Sequence, residues 1–108
     1  MQNTVDRLEA KIRNAQLDAA QREELLKLTG SLRDEVVQLA DGDSETAESI
    51  TGFAHAAAHE ALRQRGNPKL QKLASDGLLS SVEDFQDTHP RLVEVVNGFC
   101  TMLANIGI

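Results

Sequence analysis

A chain of 108 residues in which 41% of side chains are hydrophobic and 26% charged has the size of one small domain. Its 17 Asp and Glu against 11 Lys and Arg leave a net charge of −6, and its three Phe are scattered with no Trp or Tyr. It therefore offers neither the basic footprint nor the stacking platforms that nucleic acid requires, and its one cysteine, Cys100, excludes an internal disulfide and a multi-thiolate metal centre.

The opening residues are charged and lack the apolar core of a secretory signal. No stretch reaches the roughly 18 apolar residues of a membrane span, so a cytoplasmic protein that does not engage membranes is expected.

Apolar residues recur at helical spacing almost throughout, with no alternating run long enough for a strand. The first predicted helix runs from about Thr4 to Asn14, with Val5, Leu8 and Ile12 on one stripe. Being short and held by few apolar residues, this N-terminal segment, residues 1–16, is expected to be the most mobile part of the chain. Asp18 is placed as N-cap of a second helix, Ala19 to Ala40, whose seam is Leu25, Leu28, Leu32, Val36 and Leu39. Asp41-Gly42-Asp43 ends it. Asp43 or Ser44 starts a third helix running to about Arg65 and closed by Gly66, with a seam of Ala47, Ile50, Ala54, Ala57 and Ala61. Asn67-Pro68 reads as an N-cap followed by a first-turn proline, opening a fourth helix to about Gln86 with Leu70, Leu73, Leu78, Val82 and Phe85 inward. His89-Pro90 repeats that device and opens the fifth helix, Pro90 to about Asn105. The short links make consecutive helices antiparallel neighbours. The predicted fold is all-α: a small bundle of about five helices in antiparallel hairpins, forming one domain over residues 1–108.

The run Phe85-Gln86-Asp87-Thr88-His89-Pro90-Arg91-Leu92, with Leu103 and the ending Ile106-Gly107-Ile108, resembles a family of short bacterial helical proteins known as a domain of unknown function. Leu17-Asp18 and Gln21 to Leu26 are similar as well, so the likeness covers residues 17–40 and 78–108, and residues 44–66 read as an additional helix. The resemblance implies a helical bacterial protein and supplies no reaction, ligand or catalytic residue.

Four constellations bear on chemistry. His55 and His59, one turn apart in His-Ala-Ala-Ala-His-Glu, present two imidazoles on one helix face, as zinc, nickel or copper sites require, and Glu48 falls on roughly the same face. The same pair also suits the polar boundary of a buried stripe. Ala56 stands where a zincin needs Glu, which argues against metalloprotease chemistry. Asp41, Asp43, Glu45 and Glu48 look like a calcium loop, but Thr46 and Gly52 occupy the Gly and Glu positions of an EF-hand; the acids complement a helix N-terminus instead. Cys100 sits at the margin of an apolar face, which suits a small hydrophobe better than a nucleophile. Thr88 and His89 are placed to satisfy helix amides beside Pro90. No phosphate loop, nucleophile elbow or dinucleotide fingerprint is present, so no catalytic residue, cofactor or enzymatic activity is expected.

Residues 95–108 contain no charged side chain. Their helix carries a stripe of Leu92, Val96, Phe99, Leu103 and Ile106, widened by Val93, Val95, Cys100 and Met102 to more than one neighbour usually covers. Gly98 on the opposite face leaves room for another helix. This stripe is expected to be the principal buried contact surface, enclosed on several sides within the monomer or, as the favoured reading, serving as an interaction surface shared between two copies of the chain. The functional expectation is a structural or protein-interaction module acting through helix packing, with a metal- or small-ligand-binding module at His55 and His59 as the alternative.

Overall fold

The computed structural model describes residues 2–107, with side chains described for residues 3–106; Ile108, the last residue of the Gly-Ile ending, lies outside them. Five helices follow in order: α1 Gln2–Asn14, α2 Ala19–Ala40, α3 Ser44–Leu62, α4 Pro68–Val82 and α5 Pro90–Gly107, with a 3-10 turn at Glu83–Phe85. No strand occurs among the described residues. The all-α fold is as the periodicity predicts.

Helix starts follow their local chemistry. Asp18 closes a capping box, its Oδ1 accepting from the Gln21 amide at 2.7 Å while Gln21 Oε1 accepts from the Asp18 amide at 3.3 Å. Asp43 caps α3 through the Thr46 amide, and Asn67 caps α4 through the amides of Lys69 and Leu70. At α5, His89 supplies the carbonyl that accepts from Val93. Contrary to expectation, the Thr88 and His89 side chains bond none of the first amides of α5 among the described residues. The His89 ring instead meets Phe85 edge-on at 5.5 Å.

Helix ends depart from the sequence reading in two places. α3 stops at Leu62 because Arg63 turns extended, and the turn is tied by Glu60 Oε1, which accepts from Arg63 Nε and Nη2 and from the Asn67 amide. Gly66 adopts no positive φ, so it is not a left-handed cap. It is there because a Cβ would strike the Glu60 carbonyl oxygen. α4 stops at Val82, and the predicted last turn is the tighter 3-10 segment.

All four other helices pack on α3. Around it, α1 touches α2, α2 touches α5 and α5 touches α4, while α1 and α4 do not meet among the described residues. One side of α3 is therefore left open. The consecutive helices α4 and α5 pair in opposite directions, as their short link requires: Gln71 Nε2 donates to the Leu103 carbonyl at 3.0 Å, and Ser75 lies opposite Cys100. Arg33 on α2 bridges to Asp6 at 2.7 Å and to Glu9, fastening α1, whose Val5, Leu8 and Ile12 are buried.

Two seams are corrected by the tertiary packing. In α2 the core position between Leu25 and Leu32 belongs to Thr29, whose hydroxyl donates to the Leu25 carbonyl at 2.7 Å; Leu28 is half-buried and comes within 3.3 Å of where a Gly98 Cβ would stand. In α4 the inward face continues from Leu78 and Val82 back through Ser75 and Gln71, at helical steps of three and four, and Leu70 and Leu73 are left 46% and 63% exposed.

Leu103 is fully buried, so Leu103→Glu is expected to destabilise the chain by about 4 kcal/mol or more and to abolish its cooperative melt in circular dichroism. Gly66→Ala is expected to lower stability by about 1–3 kcal/mol in urea denaturation, because the Glu60 carbonyl has to move.

Candidate functional site

The first candidate is the His pair. α3 places His55 half-buried and His59 exposed on consecutive turns, with their rings parallel and 6.5 Å apart. They face α1 across a shallow groove of about 610 Å³ lined by Arg7, Lys11, Asn14 and the two imidazoles. Glu48 does not join this lining, and His89 lies by Phe85 at the start of α5. Among the described residues no three His, Cys, Asp or Glu gather to hold a metal. The groove is instead a set of cationic and neutral donors. Partial burial holds His55 below its ordinary pKa of 6.5, helped by the positive charges of Arg7 and Lys11 and by His59.

The acidic turn before α3 is a cap and not a cation loop. Asp43 accepts from the Thr46 hydroxyl at 2.6 Å and from its amide, which holds its carboxyl below the usual range. Cys100 is buried against α4 with its Sγ 3.9 Å from the Ser75 carbonyl, and burial pushes its thiol up to about 11. A thiolate nucleophile is thereby disfavoured at neutral pH.

The C-terminal stripe is used inside the monomer. Leu92, Val96, Phe99 and Leu103 are all fully buried, Ile106 is half-buried, and α2, α3 and α4 together supply the contacts that the width of the stripe demands. The second neighbour expected from another copy is thus supplied by this chain. Gly98 does admit a close approach, from Leu28 of α2.

Uncovered apolar surface lies elsewhere, at residues the sequence reading had not assigned to a surface. Phe53 is 40% exposed and lies over Gly77, where a Cβ would come within 2.5 Å of its ring. Leu73, one turn before Gly77, and Leu70 continue this ridge along α4. The available signal was angular: Phe53 falls well off the Ala47–Ile50–Ala54 seam on a helical wheel. The open face of α3 beside it carries Glu45, Glu48, Ser49, Gly52 and Ala56, all exposed.

Because folding lowers the affinity of His55 for its proton, the unfolded chain binds more protons at this position and stability rises with pH there. The contribution is fully present above about pH 6.5 and is lost as pH falls toward the lower folded value. Thermal melts followed from neutral pH downward should show that slope, and His55→Asn should flatten it.

No helix among the described residues is long and apolar enough to cross a membrane. No curated protein and no solved structure matches the chain. The family model described as Domain of unknown function (DUF4404) matches residues 27–108, from within α2 to the end of the chain, and the chain belongs to that family.

Proposed function

We propose that this chain is a non-enzymatic protein-interaction module that acts through helix packing, and that it pairs with a second copy of itself. The observation that carries the reading is the open face of α3 between α1 and α4. Along that face the residues run from acidic Glu45 and Glu48 to small Ser49, Gly52 and Ala56, and past the end of the helix the exposed Arg65 and Lys69 follow, Arg63 being bound to Glu60.

Such a face is complementary to itself when turned end for end. Two copies of α3 laid antiparallel across Gly52 and Ala56 bring the acidic start of each toward Arg65 and Lys69 beyond the end of the other, as an isologous two-fold interface demands. Phe53 and Leu73 then gain an apolar cover along one edge. Gly52 fits the same arrangement. A glycine inside a helix costs about 1 kcal/mol relative to alanine, and nothing in the monomer stands within 4 Å of where its Cβ would be. A closely packed second helix gives that absence of side chain a use. With the bacterial resemblance of its C-terminal motif, the setting we infer is the bacterial cytoplasm, where a lone thiol stays reduced.

Light scattering tests the reading directly. The wild-type chain is expected at twice its monomer mass, whereas Gly52→Leu should give a folded monomer with an unchanged or higher melting temperature. Glu45→Lys/Glu48→Lys and Arg65→Glu/Lys69→Glu should each be monomeric alone and pair when mixed, since the mixture restores opposite charges at both ends. A wild-type chain that stays monomeric as its concentration rises rejects self-association.

A further inference from the structure

The groove between α1 and α3 is of opposite character to the chain that carries it. The molecule has a net charge of −6, yet the groove has Arg7, Lys11 and Asn14 on consecutive turns of α1 and His55 and His59 on consecutive turns of α3, with no carboxylate in its lining. Its remaining wall is Ala10 and Ala56, so no long side chain covers it. We propose that this groove binds a small multivalent anion, a phosphate or carboxylate group carried by a small molecule, and not a metal ion.

The chemistry of the lining decides the sign. A divalent cation between the imidazoles would stand beside two permanent positive charges with no carboxylate to balance them. An oxyanion meets the reverse situation. The guanidinium and the ammonium supply charge-assisted donors, the Asn14 amide adds a neutral one, and each imidazole offers a donor N–H in its neutral form and a second on protonation. The charged groups that act on His55 are Arg7 and Lys11 from α1 and His59 from α3, all of positive or neutral state. A bound anion opposes their effect and favours the protonated form of His55, while His59 lies within reach of the Glu60 carboxylate. The groove shares Ala56 with the face proposed for self-association and takes its donors from other residues.

Calorimetry and proton NMR of the imidazoles on the full chain, titrated in separate arms with inorganic phosphate, succinate and zinc chloride, test the assignment. Saturable binding of phosphate, succinate or both is expected, and which of them binds identifies the anionic group. Affinity should rise as pH falls from about 8 to about 6, the opposite of a metal held by neutral imidazoles. Arg7→Gln/Lys11→Gln, at surface positions that leave the core intact, should weaken binding about tenfold or more. His55→Asn/His59→Asn should remove the pH dependence. The proposal is overturned if neither anion gives saturable shifts at His55 and His59, if the Arg7/Lys11 variant binds as well as wild type, or if zinc alone binds and weakens on acidification.

Discussion

The small side chains of α3 set the spacing of the whole bundle. Ala47, Ala54, Ala57 and Ala58 are fully buried on it, and the distance between packed helices follows the size of the side chains at their contact. A helix with leucine at those positions has room for fewer neighbours. With alanine, α3 touches every other helix of the chain, and the larger residues of the neighbours, among them Leu25, Leu32, Leu78 and Phe99, fill the space it leaves. Two threonines enter this core without penalty because each hydroxyl turns back onto its own helix, Thr29 to Leu25 and Thr51 to Glu48.

That central position has consequences for the surfaces. Four helices around a fifth, of which α1 and α4 do not meet among the described residues, leave one face of the hub in solvent. Both the groove and the apolar ridge border this opening. On the α1 side lie the histidines with Arg7 and Lys11; on the α4 side lies Phe53 against Gly77, with Leu73 next to it. The apolar stripe of α5, the most apolar helix of the chain, takes no part in this opening, because α2, α3 and α4 cover it. Apolar content measured along the chain thus marks the core, and the exposed apolar ridge comes from helices of ordinary composition.

Charge is arranged locally. The chain is acidic overall, but the acids at the start of α3 accord with the helix dipole, Arg63 and Arg65 follow its end, and the groove beside its middle is lined by cations and imidazoles. Two histidines at metal-ligand spacing on a helix are common to a metal site and to an anion site. What separates the alternatives is the charge of the facing helix, and α1 presents Arg7 and Lys11 there.

The sequence by itself determined the helices, their starts and the composition of the core. Capping residues act within three or four positions, so Asp18, Asp43 and Asn67 were legible from their neighbours alone, and buried stripes such as Val5–Leu8–Ile12 follow from helical periodicity. Helix ends were less legible where a distant group decides them: Glu60 reaches seven residues forward to the Asn67 amide and ends α3 early. Only the tertiary structure decided which apolar residues stay in water. Leu70 and Leu73 share a helix with Leu78 and Val82 and are equally hydrophobic, yet the rotation of α4 against α3 and α5 buries one pair and exposes the other. That rotation is set by the summed packing of three helices, a quantity no local pattern contains. The facing of Arg7 and Lys11 onto His55 and His59, more than forty positions apart in the chain, is of the same kind.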